Sequence, residues 1–305
     1  MRICIIGGGL TGLTAAYHLG RDHEVDLYEK RRCLGGCVSS YEIGDYRIEE
    51  FYHHCFAGDS RLFSLMESLR IADRLEWLKG TSGYYADGIL YPLNSPVEIL
   101  RYPLLSFTDK IRLALLTMRA GKMDSTSLDG ITARDFVVRE IGERAYRSFF
   151  EPLLASKFGD RRDEISAAWL VSRIAIRSNR GLSGERLGYL KGGFFTLIDA
   201  LSDEVGRHCV IRLQDPATSL SREPDGWRVN GQRYDAVIST IPPHTVPGGV
   251  LSHLPRIPYQ GAACMLLSLD HDVTSGIYWL NMKDPAPYGA VVAHTNFVPL
   301  ERYGE

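Results

Sequence analysis

Ile3-Cys4-Ile5-Ile6-Gly7-Gly8-Gly9-Leu10-Thr11-Gly12 decides the reading of this chain. Four consecutive apolar residues fit a strand buried on both faces, as a parallel sheet demands. The glycines then turn the chain, and Leu13, Ala16, Tyr17 and Leu19 recur at helical spacing. A GxGxxG between a buried strand and a helix is the geometry in which backbone N–H groups and a helix N-terminus receive a pyrophosphate. Gly7 permits the tight turn, Gly9 the close approach of phosphate, and Gly12 the packing of helix on strand. Gly8, Leu10 and Thr11 complete the backbone of the expected phosphate site.

Downstream, Val25-Asp26-Leu27-Tyr28-Glu29 reads as the second strand, and Glu29 stands 22 positions after Gly7. That spacing suits a carboxylate accepting the ribose hydroxyls of an adenosine, and its charge disfavours a 2′-phosphate there. Lys30 follows, and after four intervening residues come Gly35-Gly36 and then Cys37-Val38-Ser39-Ser40. Gly35 and Gly36 would let backbone pass close to phosphate and sugar.

The strand, the three glycines, Ala15 and Ala16, Leu19, Glu29-Lys30 and the paired glycines together resemble the flavin-containing amine oxidase, protoporphyrinogen oxidase and phytoene desaturase superfamily. The resemblance implies an α/β fold: a Rossmann-like FAD-binding domain carrying an inserted mixed helical and β substrate domain. It implies FAD as cofactor, held by Gly7, Gly8, Gly9, Leu10, Thr11, Gly12, Glu29, Lys30, Gly35, Gly36 and Cys37. Cys37 stands where the family usually has Arg; a thiol has no guanidinium fork, so only a backbone role carries over. A redox dithiol is not expected, because Glu42 occupies the place where flavin disulfide reductases have their second cysteine.

Further echoes are spread along the chain. Tyr189-Leu190-Lys191-Gly192-Gly193-Phe194 resembles the glycine pair before the helix that returns to the FAD domain. Asp215-Pro216-Ala217-Thr218 resembles the short strand whose backbone pairs with adenine, with Ala217 as the contact. Asp235 to Pro243 resembles the family's strand leading into an Ala-Thr-Gly-like or Ser-Thr-x-Pro turn. Residues 1–58 plus 186–250 are therefore expected to form the FAD-binding domain, and 59–185 plus 251–305 the substrate domain. Within the latter, Ile111, Ala114, Leu115 and Met118 follow helical spacing behind a Thr108 cap, and Thr132 with Asp135 resembles a capping box. Another helix is expected near Ile165, Trp169 and Arg173. Strands are expected at Val210 to Leu213, Trp227 to Asn230, Ala262 to Leu269 and Ala290 to Ala293.

Composition narrows the partners. With Lys plus Arg at 35 against Asp plus Glu at 37, a net charge of −2 gives no global field toward a polyanion, so nucleic acid is not an expected partner. No apolar run approaches the roughly 20 residues that span a bilayer. The first residues run straight into the glycine cluster, which reads as a cytoplasmic protein without a leader. Tyr102-Pro103-Leu104-Leu105 and the helix after it are expected to form an apolar mouth, a membrane-peripheral surface or a core stripe. The six cysteines include no pair of CxxC knuckles, so no metal is expected.

Glu49-Glu50-Phe51-Tyr52-His53-His54 falls where the family chain crosses beside the isoalloxazine ring. His53 and His54 are the catalytic candidates, since imidazole titrates near neutrality. On a strand they would point to opposite faces. His294 is a candidate wall of the substrate cavity, while Tyr84, Tyr85 and Tyr189 are read as packing or cavity walls. Amine oxidases proper carry a Lys on the strand corresponding to Gly261 to Leu266, and none is present here. The leading expectation is an FAD-dependent oxidoreductase taking hydride from a bulky apolar or amphipathic small molecule, porphyrinogen- or polyene-like. Two alternatives stand beside it. One is a non-redox flavoenzyme like UDP-galactopyranose mutase, with Arg173, Arg177, Arg180 and Arg186 near a nucleotide sugar. The other is a shortened relative with little FAD binding, because no Gly-Asp or Gly-Glu turn of the family's closing segment follows Pro243.

Overall fold

The computed structural model describes residues 1–178 and 185–303. Strand β1 (Arg2–Ile6) lies parallel to β2 (Glu24–Tyr28), and helix α1 (Leu10–Leu19) connects them. The chain returns through helix α2 (Phe195–Gly206) to β3 (Val210–Arg212) beside β2, and later to β4 (Ala236–Ser239) beside β1. The result is a four-stranded parallel sheet in the order β4-β1-β2-β3.

Its two faces follow from the two-residue period of a strand. Ile3, Ile5, Val25 and Leu27 point to one side and pack with Leu13 and Ala16 of α1 and Leu197, Leu201 and Val205 of α2. Cys4, Ile6 and Tyr28 point to the other side, against Leu220, Val229 and Tyr234. Those three come from an antiparallel meander of Leu220–Glu223, Gly226–Val229 and Gln232–Tyr234. Each fully buried Leu or Ile contributes about 1.5–3 kcal/mol, which holds both layers onto the sheet.

Asp26 is buried on the meander side and would be costly there alone. The Tyr234 hydroxyl donates to it at 2.5 Å and Arg2 Nη2 at 3.1 Å, so the charge is paired. Burial, reinforced by the Asp26 charge, pushes the neighbouring Cys4 thiol up to about 12.

A second sheet is ordered Ala290–Val292, Trp279–Met282, Ser82–Ala86, Ile89–Pro92, so chain from both sides of the α2 region meets in it. Beside it lies a helical core that includes Tyr102, Leu116, Phe136, Tyr146, Leu154 and Leu170. A long antiparallel ladder of Leu75–Gly80 with Glu185–Leu190 leads back toward α2. Cys55 docks on that ladder by exchanging backbone hydrogen bonds with Gly188, where any side chain would collide with the Cys55 sulfur.

Several local expectations change. The Phe107–Ala120 helix is capped by Ser106, not Thr108: Ser106 Oγ accepts the Asp109 amide, and Asp109 accepts the Ser106 amide in return. Thr132 does cap the Ala133–Glu140 helix, accepting the Asp135 amide, but the return bond of a full box is absent among the described residues. Ala262 to Leu269 forms no strand; Met265 is 82% exposed and no described strand offers this stretch a ladder partner. Residues 215–219 are irregular as well, and β2 stops one residue short of Glu29. The remaining expected strands at β3, Gly226–Val229, β4 and Ala290–Val292 form, as does the Ala167–Ser178 helix.

Candidate functional site

The turn between β1 and α1 is built as tightly as its glycines imply. Gly7 has φ of +109°, which only glycine adopts freely, and its amide donates to the Tyr28 carbonyl at 2.8 Å. A Cβ on Gly12 would lie 1.9 Å from the Gly7 oxygen, so α1 sits directly on the turn. Gly9 differs. It has ordinary dihedrals, and a Cβ there would meet nothing nearer than the Gly36 Cα at 3.8 Å. No protein contact explains its lack of a side chain. Helix α1 has no side-chain cap and no acid in its first turn, so the positive end of the helix, at Leu10, Thr11 and Gly12, is left open to an anion.

The second glycine pair folds onto the first. The Gly35 amide donates to the Gly8 carbonyl at 2.9 Å, and Gly9 and Gly35 form a parallel bridge. Gly35 and Gly36 have φ of +108° and +61°, and a Cβ on Gly36 would press on the Gly9 Cα at 3.0 Å. Arg31 fixes this loop. Its guanidinium donates to Ser39 Oγ at 2.8 Å and, 2.5 Å away, to the Glu50 carboxylate, which holds its pKa up. Cys37 is exposed and provides no such fork, so the cation beside this loop comes from position 31 instead.

Glu29 is buried, and its two oxygens accept the Gly8 and Arg31 amides, each at 2.7 Å. The carboxylate thus braces the glycine turn, while each oxygen retains a lone pair for a sugar hydroxyl. Lys30 beside it is exposed. The irregular segment from Gln214 runs alongside, with its Asp215 amide on the Glu29 carbonyl. Ala217 follows, half-buried, and no described residue hydrogen-bonds its backbone N–H or C=O. Thr240 closes the turn from β4, donating toward the Ile6 and Gly7 carbonyls at 3.0 and 3.2 Å.

The two histidines diverge for a reason other than strand alternation, because residues 50–54 are irregular. His53 Nδ1 donates to the Phe51 carbonyl at 2.7 Å, which leaves Nε2 with its lone pair, and the ring lies 6.0 Å from Phe194. His54 is surrounded by the rings of Phe56, Tyr278 and Phe297. It lines a small cleft with Thr81, Ser82, Glu185 and Trp279. Beside them lies a buried polar knot. Tyr189 donates to Glu49 at 2.7 Å, the Phe194 amide donates to Glu49 at 2.8 Å, and the Tyr303 hydroxyl and His294 Nε2 share a hydrogen bond at 2.6 Å. Tyr189 is therefore a hydrogen-bonding member of the site and not packing alone. Burial holds the His294 pKa below its ordinary value, against the pull of Glu49.

Adjacent carboxylates thus serve two places: Glu50 the glycine loop and Glu49 the buried knot. The stretches that hold Glu49, Glu50 and Thr240 are marked in the sequence, but the bonds these residues and Arg31 make are not, because their partners lie 8 to 234 positions away. Of the arginines considered for a nucleotide sugar, Arg173 lies over the Trp169 ring and Arg186 donates to the Trp77 carbonyl. Arg180 and the Arg177 side chain lie outside the described residues.

Comparison with known proteins converges on one family. Residues 10–298 match the model for flavin containing amine oxidoreductases. The coproporphyrinogen III oxidase of Mycobacterium tuberculosis is 25% identical over 270 residues, covering 78% of this chain and 58% of that protein. The zeta-carotene desaturase of Zea mays is 30% identical over 193 residues, 58% of this chain and 32% of that one. Among solved structures, a putative protoporphyrinogen oxidase from Exiguobacterium sp. 255-15 superposes with a TM-score of 0.69 at 22% identity, covering 97% of this chain and 73% of that one. The chain thus spans less than two thirds of the length of these two curated relatives.

Proposed function

The chain belongs to the flavin containing amine oxidoreductase family, whose cofactor is FAD, and from that membership we propose that it is an FAD-dependent oxidoreductase acting on a bulky apolar or amphipathic small molecule. One observation carries the reading. Two glycine turns are stitched together below an uncapped helix N-terminus, and Gly9, at their junction, lacks a side chain that the protein itself has room for. An uncapped helix N-terminus with bare backbone beside it is suited to a phosphate group.

In this proposal Gly7, Gly8, Gly9, Leu10, Thr11 and Gly12 hold the pyrophosphate, and Glu29 accepts a ribose hydroxyl. Gly35, Gly36 and the Cys37 backbone follow the dinucleotide, with Lys30 at the rim. Ala217 offers its two unbonded backbone groups to adenine. FAD, when bound, supplies a hydride acceptor. The protein's part is to position that acceptor, orient the substrate and exclude water. His53 and His54 are assigned to orienting substrate and moving protons. The lone pair on His53 Nε2 and the aromatic walls around His54 support those parts. Residues 1–58 and 186–250 are assigned to the cofactor, and 59–185 and 251–305 to the substrate.

The substrate class is taken as porphyrinogen- or polyene-like. A porphyrinogen oxidase and a carotene desaturase among the relatives support it, as do the rings of Tyr278, Phe297 and Trp279 near His54. Titration of the purified chain with FAD is the test. The expected result is uptake of one equivalent with a perturbed flavin absorption band; no uptake contradicts the reading.

A further inference from the structure

The hairpin that joins Gly226–Val229 to Gln232–Tyr234 turns on Asn230-Gly231, with φ of +45° and +79°. Two left-handed residues are what a two-residue hairpin requires, and Asn-Gly, Asp-Gly and Gly-Gly all satisfy it. The turn therefore accounts for an Asn at 230 but has no use for where the carboxamide goes. Asn230 reaches sideways into the irregular segment 215–219. Its Oδ1 accepts the Thr218 amide at 2.9 Å, the Ser219 amide at 3.2 Å and the Thr218 hydroxyl at 3.2 Å, and its Nδ2 donates to the Pro216 carbonyl at 2.9 Å. The Asn230 amide adds a bond to the Ser219 carbonyl at 3.2 Å. One side chain thus uses both ends of its carboxamide to bridge the residues on either side of Ala217.

The other end of the segment is fixed to the glycine turns. The Gln214 amide donates to the Arg31 carbonyl and the Asp215 amide to the Glu29 carbonyl, each at 3.0 Å. Irregular backbone has no ladder to hold its shape, so these two anchors and Asn230 hold it instead. Between them Ala217 is half-buried, and no described residue bonds its N–H or C=O. What the anchors leave open is one donor and one acceptor on a single residue, two positions beyond the one tied to the Glu29 backbone. An adenine edge carries the complementary pair, a ring nitrogen that accepts beside the N6 amine that donates. Hypoxanthine, with a carbonyl oxygen in place of that amine, presents the opposite pattern. The Asn230 carboxamide is engaged within the protein at both ends, so its part is to position the groups that bind and not to bind itself.

We propose that Asn230 is a positioning residue for the cofactor, holding the Ala217 N–H and C=O as the fork that reads adenine; this rests on the placement of FAD at the glycine turns. The test compares, by fluorescence titration of the purified chain freed of flavin, the affinities of FAD and of flavin hypoxanthine dinucleotide, the same molecule with the N6 amine replaced by oxygen. The parent is expected to favour FAD about tenfold or more. Asn230→Gly keeps the left-handed turn and removes the carboxamide, so it is expected to bind FAD about tenfold more weakly and to prefer it by less than about threefold. Asn230→Asp keeps an oxygen facing the Thr218 and Ser219 amides and loses only the donor to Pro216. Its preference is expected to fall between those of the other two proteins, and it serves alone if the glycine variant does not fold. A role confined to the hairpin predicts instead that the variants weaken both dinucleotides alike and keep the parent's preference. That result overturns the inference, as does a parent that binds FAD and its hypoxanthine analogue equally. A parent that takes up neither dinucleotide overturns the FAD reading itself, and this inference with it.

Discussion

The Gly8 amide donates to the Glu29 carboxylate at 2.7 Å, joining the glycine turn to the end of the second strand across 21 positions of sequence. The same carboxylate accepts the Arg31 amide, so one side chain sets the turn and the start of the loop that folds back on it. Hydrogen bonds to a buried charge contribute more than neutral ones, and removing the acceptor leaves two amides unpaired. Glu29→Ala is expected to cost about 2–4 kcal/mol in urea denaturation and to weaken FAD binding about tenfold or more. Unaltered flavin affinity in a folded variant would remove Glu29 from the cofactor site.

Gly12 and Gly7 meet so closely that substitution acts through the fold itself. A side chain at Gly12 starts 1.9 Å from the Gly7 oxygen, and neither backbone can yield without opening the turn. Gly12→Val is expected to lower stability by about 3 kcal/mol and to abolish flavin uptake together with it. Thermal denaturation of the variant beside the parent measures this.

His294 gives the fold a pH dependence near neutrality. Burial favours its neutral form in the folded protein, where it shares a hydrogen bond with Tyr303 and where Glu49 and Arg302 face it with opposing charges. Its folded pKa lies below the unfolded value, so the stability it contributes is complete above about 6.5 and is lost as pH falls through the folded pKa. His294→Gln is expected to flatten the dependence of the melting temperature on pH between about 7 and 5. An identical slope in the two proteins would show that other groups carry it.

Asp272 acts in a lower window. Burial works against its charge, but the Thr274 and Gly276 amides and the Thr274 and Asn296 side chains outweigh it, drawing the carboxyl down to about 2. The stabilisation is present above the ordinary carboxylate range and lost as pH falls from about 4 toward 2. Because the residue is exposed, solvent screening reduces the effect to roughly 1 kcal/mol. Asp272→Asn is expected to be less stable than the parent at pH 7 and to converge with it only near pH 2, as followed by thermal melts.

How far the sequence reaches depends on whether a feature is local. Gly7 to Gly12, Glu29 and Gly35-Gly36 are legible because strand period, helix period and glycine dihedrals act within a few residues, and the acid is placed by strand length. The docking of one glycine pair on the other is legible only through the resemblance, since nothing in either pair specifies the bridge from Gly9 to Gly35. Arg31 with Glu50, Tyr189 with Glu49, and Thr240 with Gly7 are long-range meetings that no spacing encodes. The facing of the Phe107–Ala120 helix escapes for another reason. Ile111, Leu115 and Met118 are exposed while Leu113 and Leu116 are buried, and periodicity alone cannot say which side the core takes. At Ala262 to Leu269 the residues suit a strand, but a strand needs a neighbour, and none of the described strands is beside it.

Gly9→Ala tests the cofactor site most directly, because at this position the fold and the flavin make opposite demands. The protein has room for the methyl group, its nearest atom being 3.8 Å away, and the dihedrals are those any residue adopts. Stability by urea denaturation is expected to change by less than about 1 kcal/mol. FAD affinity, measured by titration on the same preparation, is expected to fall about tenfold or more because the methyl group stands where phosphate approaches. A variant that keeps both its stability and its flavin affinity would contradict the placement of FAD on this turn.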